Sequence, residues 1–201
     1  IGSTAKRYKA VGIIGYINNN ISNISVDNFE ISNIRAYTDN LSVFGDNMDA
    51  TENITLTNIK IHDSKVIAGD TSLTDDISYA TNSFTGLIKQ ITDWNSNNKM
   101  SNVTINGAQI YNMSTNSYTT GLVGYVFGQV SDLTVSDAHV YNTITTGTDI
   151  PTINSKLCGL IGYVHPSKTI DGLTVVAATT GGYGFDMHDL KLNSDFWGVI
   201  A

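Results

Sequence analysis

The chain has 201 residues, 41% of them hydrophobic and 14% charged, with a formal net charge of -7. That apolar share suffices for a core, and Asn, Ser, Thr and Asp in the places usually held by Lys and Glu favour strands and turns over helix. The acidic balance excludes the basic stripe that nucleic acid demands, and no run reaches the roughly 18–20 apolar residues of a membrane-spanning helix.

In chain order, Lys6, Arg7 and Lys9 come first and read as a solvated basic end. Two phrases then alternate. A glycine phrase stands at Val11–Tyr16 (VGIIGY), Leu41–Asp46 (LSVFGD), Thr85–Gln90 (TGLIKQ), Thr120–Val126 (TGLVGYV) and Cys158–Val164 (CGLIGYV). Each is followed by a thirteen-residue block: Ile21–Asn33, Thr51–Asp63, Met100–Asn112, Val130–Asn142 and Ile170–Gly182. A sixth copy opens at Trp197–Ala201, so the sequence reads as an excerpt of a longer repeat protein. The opening residues do not read as a signal peptide, which says little for an excerpt. Self-similarity at this period means stacked units, none of which can bury its apolar face alone.

The columns of the block give the local structure. Its fourth place holds Ile24, Ile54, Val103, Leu133 and Leu173, and its sixth Val26, Leu56, Ile105, Val135 and Val175. Ser25, Thr55, Thr104, Thr134 and Thr174 lie between them, which is the in-out-in pattern of a half-buried strand. The eighth place (Asn28, Asn58, Gly107, Asp137, Ala177) tolerates a sharp bend. Beyond it, Phe29, Ile59, Ala108, Ala138 and Ala178, then Ile31, Ile61, Ile110, Val140 and Thr180, predict a second inward-facing strand. The glycine phrase supplies a third. Three short strands per unit predict a parallel β-helix of about five coils over 1–201, starting near 11, 41, 85, 120 and 158, with a truncated sixth at 197. Between blocks, Val66–Phe84, Thr92–Lys99 and Thr145–Lys156 read as projecting loops.

The phrases at Thr120–Val126 and Cys158–Val164, followed by the Asn-hydrophobic-Thr-hydrophobic strand, resemble the GLUG repeats of large microbial surface proteins and some secreted peptidases. Ser42 and Lys89 depart from the pattern where it expects glycine. The resemblance implies an extracellular or cell-surface location and a stalk, adhesive or presentation role. It carries over no catalytic residue. Together with the general preference for right-handed crossovers, it implies a right-handed solenoid.

Several constellations carry competing chemistry. Asn23, Asn53, Asn102 at the third place and Asn33, Asn112, Asn142 at the thirteenth fit a structural ladder along the stack. Asn20, Asn23, Asn40, Asn53, Asn102 and Asn112 also lie in N-x-S/T sequons. Repetition in register favours the ladder, which leaves Asn20 and Asn40 as the better glycan sites. The Thr file is too narrow for an ice-binding array and reads as solvent-facing β structure. Tyr111, Tyr141, Tyr125 and Tyr163, with Tyr16, are the candidate contact residues for glycans or proteins, against a role in shielding the coil wall. The single cysteine excludes an internal disulfide and a cysteine zinc site, and Cys158 reads as a packed small side chain.

An enzyme would need convergent carboxylates on one face. The outward tenth place reads Glu30, Lys60, Gln109, His139 and Thr179, with Glu30 and Lys60 as a weak cross-rung ion pair. His62, His139, His165 and His188 fall at unrelated places, so no metal or acid-base group is expected. Asp70, Asp75 and Asp76 match no calcium-loop spacing and read as a solvated acidic loop. The expectation is a structural scaffold or stalk segment without cofactor. Its partners would be neighbouring repeats or copies of itself at open coil ends, and glycans or surface proteins on the wall. A polysaccharide-active β-helix is the weakest alternative.

Overall fold

The computed structural model describes residues 12–34, 40–48, 53–68, 84–91, 97–112, 119–141, 152–153, 157–188, 191–192 and 196–200. The strands are β1 (Ile14–Ile17), β2 (Ile21–Asp27), β3 (Glu30–Ile34), β4 (Asn40–Met48), β5 (Thr55–His62), β6 (Lys65–Ala68), β7 (Phe84–Ile91), β8 (Lys99–Asn106) and β9 (Gln109–Asn112). They continue as β10 (Thr119–Val126), β11 (Gln129–Ser136), β12 (Ala138–Tyr141), β13 (Thr152–Ile153), β14 (Leu157–Val164), β15 (Ile170–Val175), β16 (Phe185–His188), β17 (Lys191–Leu192) and β18 (Phe196–Ile200).

The chain is a parallel β-helix with three strands per coil. Each strand pairs with its counterpart one coil away. The first sheet runs β1-β4-β7-β10-β14-β18, the second β15-β11-β8-β5-β2 and the third β16-β12-β9-β6-β3. All pairings are parallel, and β13 and β17 form a small additional pair. The glycine phrases stack in register, with Gly86 opposite Gly121 and Gly121 opposite Gly159. A Cβ on Gly86 would collide with the Gly121 carbonyl oxygen, and one on Gly121 with that of Gly159, so backbone approach requires glycine at these two rungs.

The interior is built mainly of Ile, Val and Leu, with Phe44, Phe84, Met100, Ala108 and Ala138 among them and a few buried polar side chains such as Ser64 and Asn98. Ile59, Val103 and Leu133 are fully buried in the middle rungs, while Ile24 and Leu173 at the two ends of the second sheet are only partly covered. Each fully buried aliphatic side chain contributes about 1.5–3 kcal/mol. Larger apolar exposure, at Ile13, Tyr16, Val175, Val176, Tyr183 and Ile200, falls on the outer rungs of the described stack.

Two blocks take a different register from the expected one. Ile21 stands opposite Leu56 rather than Thr51, and Leu56 opposite Met100, so the second block begins five residues later. Residues 51–63 contain the same motif twice, Asn53-Ile54-Thr55-Leu56 and Asn58-Ile59-Lys60-Ile61. The later frame wins because it completes the inward first place with Leu56 beside Ile21, Met100, Val130 and Ile170. It also makes Val66 an inward strand residue facing Ile31 and Ile110, where a loop was expected. Lys60 therefore interrupts the Thr file between Ser25 and Thr104.

In the fifth block, β16 begins at Phe185. Phe185 and Met187, rather than Ala178 and Thr180, pair with Ala138 and Val140. A Thr179–Gly182 turn, closed by Gly182 N–H donating to Thr179 O at 3.0 Å, takes up the intervening residues. Thr180 would set a hydroxyl in the inward place held by Ile110 and Val140, whereas Phe185 and Met187 pack apolar side chains against the core.

Candidate functional site

The corrected registers bring together side chains that the sequence had scattered. On the outward face of the third sheet, the tenth place reads Glu30, Lys65, Gln109, His139 and Asp186 along the stack. Lys65, not Lys60, is the cross-rung neighbour of Glu30. Two residues further along, Ile67, Tyr111, Tyr141 and His188 stand in register. His139 and His188, expected in unrelated places, therefore share one wall with Asp186 and Tyr141.

Alternation along a strand explains the grouping. Ala138 and Val140 of β12 point inward, so His139 and Tyr141 point outward; Asp186 and His188 do the same on β16. Asp186 Oδ2 lies 2.7 Å from His188 Nδ1 and 3.5 Å from His139 Nδ1. On the other side of the His139 ring, Nε2 is 3.3 Å from Asp137 Oδ1. His139 Nδ1 is shut off from solvent and has no hydrogen-bond partner among the described residues.

Aromatic rings close the other side. The Tyr111 and Tyr141 ring centres are 3.9 Å apart, and Tyr141 stacks on His188 at 4.8 Å and 17°. The Tyr141 hydroxyl donates to Gln109 Oε1 at 3.1 Å. Burial, and to a smaller degree the neighbouring Tyr111 hydroxyl, holds the Tyr141 phenol well above its ordinary range. Tyr141 is thus a neutral donor wedged between Tyr111 and His188.

Tyr125 and Tyr163 form a separate cluster at the end of the first sheet. Their ring centres are 6.5 Å apart, and Phe127 lies 6.3 Å from Tyr125 and 5.7 Å from Tyr163. His165 joins it at 5.8 Å from Phe127, with Nδ1 2.8 Å from the Ser167 hydroxyl. Tyr16 is remote from this cluster and stands opposite Asp46. His62 lies at the end of β5, opposite Asp27 and Asn106.

The asparagine ladder exists, but with a different middle member. Asn58 Nδ2 donates to Asn23 Oδ1 at 3.0 Å, and Asn102 Nδ2 donates to Asn58 Oδ1. Asn53 instead accepts from the Asn97 N–H at 3.1 Å. The third place is left-handed in every coil: Asn23, Asn58, Asn102, Asp132 and Gly172 have φ between 51° and 70°. A second left-handed file, Asn28, Asp63, Gly107 and Asp137, marks the corner between the second and third sheets at the eighth place. At the thirteenth place, Asn33 and Asn112 sit in β3 and β9 with side chains outside the described residues, as is the whole of Asn142. A groove of about 460 Å³ runs beside the ladder, lined by Asn23, Ser25, Asn58, Lys60, Asn102 and Thr104.

Of the two sequons set apart for glycans, Asn20 is exposed, and its Oδ1 accepts from the Thr55 N–H at 2.8 Å. Asn40 opens β4, its side chain outside the described residues, as is that of Cys158. Asp70, Asp75 and Asp76 also lie outside them.

Comparison with protein-family models, with curated proteins and with solved structures gives no significant match. Functional inference therefore rests on the chain's own geometry.

Proposed function

We propose that the chain is a rigid spacer segment of an extracellular or cell-surface repeat protein, with side chains on its wall available for contact. The observation that supports this reading is the apolar core shared by three parallel sheets, laced outside by left-handed asparagines. Such a stack resists bending because each rung is hydrogen-bonded and packed to the next. The glycine phrases, with their resemblance to GLUG repeats, point to the same setting. Copies of the chain or neighbouring repeats would cover the apolar outer rungs. The test is a fusion with dye-labelled reporter domains at both ends. A spacer holds one inter-dye distance from low salt up to the unfolding transition, whereas a distance that drifts with salt overturns the reading.

A second reading, contact with glycans or proteins through wall aromatics, is favoured by the Tyr125, Phe127 and Tyr163 cluster. Aromatic faces at this spacing suit stacking against sugar rings or apolar side chains. Replacing Tyr125 and Tyr163 with Ala should abolish retention on a glycan array if these rings bind. Replacing Tyr111 and Tyr141 tests the other wall in the same way.

A further inference from the structure

We propose that His139, Asp186 and His188 form a binding site for a divalent transition-metal ion of the zinc class, pinning the fourth rung to the fifth. One ligand atom from each residue lies within 4.8 Å of the other two. Tetrahedral zinc with bonds of 2.0–2.1 Å places its ligand atoms roughly 3.3 Å apart. The Asp186 contacts to the two imidazoles, 3.5 and 2.7 Å, bracket that value, and the two imidazoles, within 4.8 Å of each other, draw together to complete the shell. Two imidazoles and one carboxylate suit a borderline ion and leave a fourth position for water or a donor from a bound molecule.

Proximity alone would also describe an imidazolium held by two carboxylates. Two further observations favour the ion. First, Asp137 stands on the Nε2 side of His139, the outer-sphere carboxylate that commonly fixes the tautomer of a metal-bound histidine. With the proton on Nε2, the lone pair of Nδ1 faces Asp186. Second, that Nδ1 is buried and without a hydrogen-bond partner among the described residues, a costly state for a polar atom unless something takes its lone pair. The stacked Tyr141 ring fixes the His188 plane, so both imidazoles are held before an ion arrives.

The location suggests what the ion does. His139 lies on β12 and Asp186 and His188 on β16, directly after the excursion that displaces the fifth block. A metal bridge would fasten the outer rung where its register is least supported by the repeat.

The test is calorimetric titration of the chelator-treated chain with zinc chloride, together with visible absorption on adding cobalt chloride. The expected result is one equivalent of zinc bound, with a tetrahedral cobalt spectrum. Asp186→Asn and His188→Ala should each weaken zinc at least tenfold, and Asp137→Asn by about 10–100-fold as a positioning residue. His165→Ala, in the separate aromatic cluster, should leave zinc binding unchanged. If a variant loses its β-sheet circular dichroism, the cobalt spectrum of the native chain still decides: an octahedral spectrum or none overturns the proposal. So does zinc binding that survives both Asp186→Asn and His188→Ala.

Discussion

The asparagine file of the second sheet and the histidine-bearing wall of the third belong to the same coils but follow different rules. In the file, Asn23, Asn58, Asn102, Asp132 and Gly172 do one job in every coil, a left-handed bend, and three of them join side chain to side chain. On the wall the tenth place changes at each rung, from Glu30 through Lys65 and Gln109 to His139 and Asp186. A repeated conformation is what stacking demands; a changing outward residue is free to acquire local chemistry. The file should therefore answer to stability measurements and the wall to ligands.

The largest effect should come from the file. Asn58→Ala with Asn102→Ala forces two alanines into left-handed geometry at about 1–2 kcal/mol each, and the lost amide bonds cost about 1 kcal/mol more. A total loss of about 3–5 kcal/mol in urea unfolding is expected. The paired Gly variants, which keep the backbone angle, should recover most of it. If Gly and Ala variants unfold alike, backbone conformation is not what the file supplies.

Next in size is the effect of metal on the wall. At a zinc concentration of one hundred times its Kd, the native chain should gain about 2.7 kcal/mol against unfolding. The gain should persist in the Asn58→Gly and Asn102→Gly variant and vanish in His188→Ala. Dependence of the gain on the asparagines would mean that the two regions are coupled and the contrast is false.

The architecture was legible in the sequence because inward places repeat: the glycine column and the Ile, Val and Leu columns read directly as three strands per coil. Register was less legible where the sequence offered two frames. Asn53-Ile54 and Asn58-Ile59 satisfy the same local pattern, and the preserved Thr55 favoured the wrong one. The better signal was Thr51, a polar residue in an otherwise apolar first column, which Leu56 replaces. The wall site was hidden for a related reason. A nine-residue interval separates β15 from β16, so no fixed-period alignment sets Asp186 beside His139 or His188 beside Tyr141. What would have revealed it is Phe185-x-Met187, a pair of large apolar residues at strand spacing between Val175 and Leu190.

Within the wall, Tyr141→Phe should cost about 1 kcal/mol, the ordinary value of one hydrogen bond, because it removes the donation to Gln109 and the hydroxyl's contact with Tyr111 but no packing. Stacking on His188 is retained, so zinc affinity should change less than twofold. A larger drop in affinity would show that the hydroxyl, not the ring, orients the imidazole.

The smallest effect is the most discriminating. In chelator, Asp186→Asn should change unfolding by less than about 0.5 kcal/mol, the range of substitutions that remove no buried packing. The amide oxygen can still accept from His188 Nδ1, and side-chain volume is nearly unchanged. Loss of the carboxylate does end the attraction to a protonated imidazole, but partial exposure screens that contribution. If the wall is a metal site, this variant is silent without zinc and conspicuous with it, because the carboxylate matters for neutralising the ion. If the wall is instead an ion-pair network, the order reverses: Asp186→Asn lowers stability in chelator, and zinc makes no difference to either chain. The same substitution measured in both conditions thus separates a wall that binds from one that merely holds itself together.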